Sequence, residues 1–207
     1  MLALYDHPVS SNALKVRFLL AELGLEYERR EVPITRPRPD AYVALNPFTG
    51  IPTIDDDGFV LTESNAILRY LAQREGRDDL FPSEPRAQAR VNEILDRFAQ
   101  TVRPAFFKHE AAALGFKYGV GFGAVPADPE RAAEIADKIA PQLTMLEQVL
   151  SGGPHALGDF TIADCAIAPV LFRTTKSGLD LAPYPTMAAL REVLLARPAF
   201  QAAGPVT

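Results

Sequence analysis

The chain has 207 residues and a formal net charge of −5, with 48% hydrophobic and 23% charged residues. This balance is typical of a globular protein and excludes a disordered chain. The acidic charge disfavours a general nucleic-acid binder, and the sequence has no apolar run long enough for a transmembrane helix. Cys165 is the single cysteine, so an intrachain disulfide is excluded. With no signal-peptide pattern at the N-terminus, we expect a cytoplasmic protein.

Strand and helix patterns alternate through residues 1–76. A short apolar run at Leu2–Tyr5 predicts a first strand, and a second strand is predicted at Tyr27–Ile34. Apolar residues at helical spacing between them predict a helix. A short helix is predicted at Asp40–Leu45. Two apolar runs around an Asp-Gly turn within residues 53–61 predict a hairpin, which a further helix follows. The order β-α-β-α-β-β-α predicts an α/β layer.

The pattern changes after this layer. A polar segment with two prolines, at residues 77–85, is predicted to be a linker, and helical spacing dominates residues 86–207. Pro104 interrupts that spacing and predicts a kink, whereas the glycine-rich stretch Gly115–Pro126 predicts a loop. Further helices are predicted at Arg131–Leu150, Cys165–Phe172 and Met187–Leu195. The fold class is therefore an α/β domain followed by an all-α domain.

Ser10, Ser11 and Asn12 lie at the first strand-to-helix turn. A helix N-terminus carries unpaired amide groups and a partial positive charge, and a hydroxyl placed there can donate to an anion. Such a turn favours a thiolate over a thiol in a bound ligand. The alternative interpretation is plain helix N-capping, which serine and asparagine commonly provide, and this turn alone favours capping.

Two later segments have the residue types of a ligand site. Ile51-Pro52 precedes a strand and is a candidate cis peptide bond, which exposes the backbone groups of Ile51 to an extended peptide. Glu63 and Ser64 precede a helix, where Ser64 and the amides can hold a carboxylate and Glu63 can pair with an ammonium group. The alternatives are a proline-rich turn and an ordinary acidic helix start.

In this order and spacing, these segments resemble the cytosolic glutathione S-transferase family, in particular its bacterial serine-type members. The likeness spans nearly the whole chain. The segments that carry it are the catalytic turn Tyr5–Ser11, the cis-proline segment Leu45–Pro52, the γ-glutamyl site Leu61–Ile67, the capping box within Phe160–Asp164 and the ending Arg197–Phe200.

The resemblance implies a fold and an activity. Residues 1–76 would be a thioredoxin-like domain that binds glutathione, and residues 86–207 a helical-bundle domain that holds the electrophile. The expected protein is a detoxifying glutathione transferase, commonly a homodimer, in which glutathione is a co-substrate and no metal takes part. Ser10 aligns with the catalytic serine of the serine-type classes, with Ser11 and Asn12 as polar neighbours in the same turn.

The resemblance also implies roles for the other site residues. Ile51 would pair through its backbone with the cysteinyl part of glutathione, and Pro52 would be the cis proline. Glu63 and Ser64 would hold the γ-glutamyl end. Arg38 is assigned to the glycine carboxylate, and Arg36 is the less favoured choice.

Aromatic residues cluster around the expected kink and the glycine-rich loop. Core packing is the simpler interpretation of each ring alone, but as a group beside a glycine-rich loop they are our candidate pocket for a hydrophobic electrophile. The candidate lining is Phe106, Phe107, His109 and Tyr118, with Phe116 and Phe122 nearby. Cys165 is predicted to be a small buried side chain.

Three other functions stay open at this point. Asn12 rather than Ser10 can control a glutathione-dependent disulfide reductase or peroxidase on the same scaffold. An isomerase of the maleylacetoacetate type is disfavoured because Asn12 replaces the cysteine of its Ser-Ser-Cys turn. A non-catalytic interaction or stress-response protein of the same fold is disfavoured because Glu63 and Ser64 are retained.

Overall fold

A four-stranded sheet forms the centre of the N-terminal part in the computed structural model, which describes residues 1–150 and 153–205. Its strands are β1 (Leu2–Asp6), β2 (Glu28–Glu31), β3 (Thr53–Asp56) and β4 (Phe59–Thr62). β1 pairs in parallel with β2 and antiparallel with β3, and β3 pairs antiparallel with β4, which gives the order β2-β1-β3-β4. The predicted parallel unit followed by a hairpin is confirmed.

β2 is shorter than the predicted strand Tyr27–Ile34. All four of its residues are exposed, as expected for an edge strand. The chain leaves the ladder at Val32, whose amide donates to the Asp6 carbonyl at 2.7 Å, and Pro33 follows with no amide hydrogen to donate.

Three helices accompany this sheet. They are α1 (Ser11–Leu23), α2 (Asp40–Leu45) and α3 (Ser64–Arg74). Ser10 caps the start of α1, and Gly24 ends it with φ at +64°, a left-handed conformation that glycine adopts without strain. The buried faces of α1 and α3 contact each other.

The C-terminal part is helical, as predicted. Its helices are α4 (Pro85–Arg97), α5 (Arg103–Leu114), α6 (Pro129–Val149), α7 (Ile162–Ser177), α8 (Pro185–Ala196) and α9 (Pro198–Ala202). The irregularity expected at Pro104 takes the form of a π-helical turn, Phe98–Val102, directly before α5. Proline lacks the amide hydrogen that a regular helix needs there, so the wider turn absorbs the defect. The short helix α9 was not predicted.

α7 joins the two parts. Its capping box is present as predicted, with Asp164 accepting from the Thr161 amide at 2.9 Å and Thr161 capping the first turn. The helix is almost wholly buried and packs against α1, and Cys165 within it is fully buried, as predicted. One hydrophobic core therefore runs from the sheet into the bundle.

Within the described part of the chain, no helix has the length and apolar character needed to cross a bilayer. The same residues contain no group of three or more His, Cys, Asp or Glu side chains arranged to hold a metal ion.

Candidate active site

Buried charges fix the turn between β1 and α1. Asp6, with no exposed surface, accepts from Arg17 Nη1 at 3.1 Å and from Arg29 Nε at 2.8 Å. Arg17 also donates through Nη2 to the Pro8 carbonyl at 3.1 Å. These bonds hold the turn from both ends, so the residues that follow it have a defined position.

Ser10, Ser11 and Asn12 all line one cavity between the two parts of the chain. The Ser10 hydroxyl accepts from the Ala13 amide at 3.2 Å, which makes it the N-cap of α1. The Ser11 hydroxyl accepts from Arg103 Nε at 3.2 Å. A hydroxyl has one proton and two lone pairs, so each serine can still donate to an anion at the helix N-terminus.

Ile51 and Pro52 line the same cavity, and the peptide bond between them is cis, as predicted. The loop before this bond is held by Asn46, whose Nδ2 donates to the Gly50 carbonyl and to Thr53 Oγ1, each at 3.0 Å. The segment therefore presents its backbone to the cavity from a fixed support.

Glu63 and Ser64 reach the same cavity from the start of α3. Glu63 has φ at +67°, an uncommon conformation for a residue with a side chain, and its own side chain is exposed. Strained backbone of this kind clusters at ligand sites, where surrounding contacts hold it in place. Ser64 is buried at the first turn of α3, whose free amides lie beside it.

The two candidate arginines for the glycine carboxylate take different positions. Arg38 lines the cavity, is largely buried, and donates to the Thr35 carbonyl at 3.2 Å and the Thr49 carbonyl at 3.4 Å. Arg36 is exposed and donates to Thr49 Oγ1 at 2.6 Å and to the Tyr118 hydroxyl at 3.1 Å.

Aromatic rings from α5 and the following loop form one wall of the cavity. Phe107 meets Phe116 edge-to-face with ring centroids 4.9 Å apart, and Phe116 lies 4.9 Å from Phe122. Tyr118 completes this wall. A ligand between these rings and the Ser10 turn would contact an apolar surface on one side and hydrogen-bond donors on the other.

Phe106 and His109, which were candidates for the same pocket, do not line the cavity. Both side chains are buried, on a face of α5 that continues from the buried Val102 of the preceding π-helical turn. Helical spacing explains the division, because residues 102, 106 and 109 share one face, whereas 103, 107 and 110 share the face that looks into the cavity.

Three charged residues that were not predicted from the sequence also line the cavity: Arg103, Glu110 and Arg173. Arg173 donates to Glu110 Oε1 from Nε at 2.6 Å and also from Nη2, and its guanidinium lies 4.4 Å from the centroid of the Phe122 ring. The available signal was a lone arginine after the long apolar run of α7, together with an arginine beside Pro104. A charged side chain within an apolar helical segment is costly to bury unless it forms an ion pair or contacts a ligand.

The fold is a thioredoxin-like domain joined to a helical domain, with a cavity between them. The family profiles for the N-terminal and C-terminal domains of glutathione S-transferases match residues 9–74 and 129–202.

The chain is 33% identical to a probable maleylacetoacetate isomerase of Caenorhabditis elegans, covering 98% of this chain and 92% of that one. It is 35% identical to glutathione S-transferase 3 of Zea mays, covering 97% and 91%. A solved glutathione transferase homologue from Sulfitobacter, with bound glutathione, superposes with a TM-score of 0.77 at 27% identity, covering 98% and 96%. The chain belongs to the glutathione S-transferase family of enzymes.

Proposed function

We propose that the protein conjugates glutathione to a hydrophobic electrophile held between its two domains. One observation carries the proposal: three separate segments, at Ser10–Asn12, Ile51–Pro52 and Glu63–Ser64, converge on one cavity that also has an aromatic wall. Each segment offers the chemistry that one part of glutathione needs. The Sulfitobacter homologue with bound glutathione supports the choice of co-substrate.

Glutathione is assigned an extended pose along this cavity. The Ile51 backbone pairs with the cysteinyl residue as a neighbouring strand would. Ser64 and the amides of α3 hold the γ-glutamyl carboxylate, while Glu63 pairs with the ammonium group. Arg38 is assigned to the glycine carboxylate, because it is among the described residues that line the cavity and Arg36 is not.

The pose places the cysteinyl sulfur at the N-terminus of α1. A free thiol has a pKa of about 8.5, and lowering it by about 2 units requires about 2.7 kcal/mol of preference for the thiolate. A charge-assisted hydrogen bond from Ser10 supplies about 1.5–3 kcal/mol, and the helix N-terminus adds about 0.3–1 kcal/mol. Together they supply about 1.8–4 kcal/mol, a range that includes the required free energy without a general base.

The reaction is then a nucleophilic displacement or addition. The thiolate lone pair forms the new bond from sulfur to carbon, and in a displacement the leaving group departs with the electron pair of the bond that breaks. In an addition to a double bond, the π bond breaks, its electron pair moves to the electrophile's acceptor group, and solvent supplies the proton that completes the product. The thiol proton has already left to solvent, so no protein group has to accept it during the bond-forming step.

The test is a pH titration of enzyme-bound glutathione, followed by the ultraviolet absorbance of the thiolate. The wild type should form thiolate well below pH 8, and Ser10→Ala should move the midpoint back toward the free thiol. Ser83→Ala is the matched control, because it removes an exposed serine hydroxyl that bonds only Asp78 among the described residues. A wild-type midpoint at the free-thiol value contradicts the proposal, and loss in Asn12→Ala alone favours disulfide or peroxide reduction instead.

A second candidate is glutathione-dependent isomerisation of an anionic substrate, because Arg103 and Arg173 outnumber Glu110 in the cavity lining. The Caenorhabditis elegans relative carries the name of such an isomerase. The two reactions differ in their thiol balance. Conjugation consumes one thiol for each product formed, whereas isomerisation returns it, so thiol titration during turnover of maleylacetoacetate and of an aromatic halide separates them.

We also propose a cytoplasmic homodimer. Phe48, beside the cavity, is 86% exposed, and a large ring that is so exposed is a candidate contact for a second copy of the chain. Sedimentation velocity of wild type and Phe48→Ala tests the dimer.

A further inference from the structure

Arg103 reaches the catalytic turn from the helical domain. It is the first residue of α5, directly after the π-helical turn Phe98–Val102. Its Nε donates to Ser11 Oγ at 3.2 Å, across 92 positions of sequence. π-helical turns frequently lie at functional sites, because they turn a side chain out of the regular helical register.

The Arg103 guanidinium has a carboxylate near it but makes no hydrogen bond to that carboxylate. Its guanidinium stacks 4.6 Å from the centroid of the Phe107 ring. Its buried Nη1 lies 3.7 Å from Glu110 Oε2, and neither atom has a hydrogen-bond partner among the described residues. Burial, and then the neighbouring charge of Arg173, oppose protonation and lower the pKa of Arg103 to about 10, although Glu110 raises it.

The other charged groups around Arg103 do not neutralise it. Glu110 is already bound by Arg173 through two nitrogens. Lys15, on α1, repels Arg103, and Lys15 itself is attracted by Glu63. Three cations, among them Lys15 behind the cavity lining, thus stand against two carboxylates around Arg103. An anion bound beside Ser11 would balance the remaining positive charge.

We propose that Arg103 is a positioning residue for the thiolate and acts through Ser11; this inference rests on the proposed function. An arginine has no acceptor, so Ser11 must accept in this bond, and its own proton is left to donate. A hydroxyl that accepts from a cation is a stronger donor. Ser10 and Ser11 then both donate to the thiolate. Ser10 donates from its position as the N-cap of α1, and Ser11 donates while it accepts the hydrogen bond from Arg103.

The experiment is a double-mutant cycle read out by the thiol pKa of bound glutathione. Arg103→Gln should raise that pKa by about one unit, a tenfold loss of thiolate at a pH below it. Ser11→Ala should raise it similarly, and Arg103→Gln should add less than half of its own effect in the Ser11→Ala background. Arg103→Lys, which keeps the charge but loses the guanidinium fork, should fall between wild type and Arg103→Gln.

Arg131→Gln is the control, because it removes an exposed arginine of α6 whose partner is Glu134. A thiol pKa that stays low in Arg103→Gln overturns the inference, and so do effects of Arg103→Gln and Ser11→Ala that add in full. If Arg103→Gln does not fold, Arg103→Lys and its combination with Ser11→Ala decide by the same criterion. A wild-type thiol that is not acidified contradicts the proposed function instead, so the two failures are distinct.

Discussion

Arg197 and Glu22, 175 positions apart, form an ion pair with two hydrogen bonds, from Nε to Oε1 at 2.6 Å and from Nη2 to Oε2 at 3.0 Å. The Arg197 guanidinium also lies 3.7 Å from the centroid of the Phe160 ring. The pair connects the last turn of α1, in the sheet domain, to the junction of α8 and α9. The pair therefore helps to hold the two domains in one relative position, and the cavity lies between those domains.

Arg197→Met is expected to lower the free energy of unfolding by about 2 kcal/mol, because it removes a two-bond ion pair and a cation–π contact while keeping an apolar stem. Urea unfolding measures the change. Arg131→Met is the matched control, since the exposed pair of Arg131 with Glu134 contributes about 0.5 kcal/mol or less. Equal losses in the two variants would show that the Arg197 pair has no special role.

The N-terminal half of the site was predictable because each of its parts is local. The Ser10–Asn12 turn, the Ile51–Pro52 bond and the Glu63–Ser64 helix start each combine a short-range motif with a strand or helix boundary that the sequence also marks. Capping, a proline bond and a helix N-terminus are determined by neighbouring residues.

The helical half was harder to predict because its site is assembled by packing. Arg103, Glu110 and Arg173 come from two helices, and no local pattern shows that their faces meet. α5 carries apolar residues on both faces, so periodicity cannot tell Phe106 from Phe107. The ends of the edge strand β2 and the presence of the short helix α9 are set by contacts with neighbouring segments. Secondary-structure propensities of the residues predict such features poorly.

Asp164→Ala is expected to destabilise the protein by about 3 kcal/mol. The Asp164 carboxylate accepts from the Thr161 amide at 2.9 Å and from the Ala156 amide at 3.0 Å, so the variant leaves two buried amides without their acceptor. Thermal unfolding measures the loss. Asp180→Ala is the control, because Asp180 makes a similar bond to the Ala182 amide at an exposed site. A loss no larger than that of the control would contradict the role of the box.

Lys15→Met is expected to stabilise the protein by about 2 kcal/mol at pH 7, because a buried ammonium group is replaced by an apolar chain of similar length. Lys15 is 3% exposed, and its Nζ lies 3.4 Å from Asn65 Oδ1. Burial, and then the charge of Arg103, lower its pKa from 10.5 to about 8.

The sign of the pH dependence follows from that pKa. Between pH 8 and about 10.5 the unfolded chain keeps a proton on Lys15 that the folded chain has lost, so this residue makes stability rise with pH. Urea unfolding at pH 7, 8 and 9 should show this rise in the wild type and a smaller one in Lys15→Met. Lys138→Met, at an exposed site on α6, should leave the slope unchanged. A rise in Lys15→Met as steep as that of the wild type would contradict the assignment.

Neighbouring phenylalanines of α5 provide a test of the cavity wall. Phe107 lines the cavity, whereas Phe106 is buried in the core on the other face. Phe107→Ala should raise KM for an aromatic electrophile about tenfold, the cost of about 1.4 kcal/mol of lost ring contact, and leave KM for glutathione near its wild-type value. Steady-state kinetics with each substrate varied in turn measure both constants.

Phe106→Ala removes the same ring from the core, and it should lower the free energy of unfolding by about 3 kcal/mol while KM for the electrophile stays within about twofold. Comparing the two variants therefore distinguishes the loss of a cavity-lining ring from the loss of a core ring. If Phe106→Ala raises KM for the electrophile as much as Phe107→Ala does, the electrophile does not bind against the face of α5 that carries Arg103, Phe107 and Glu110.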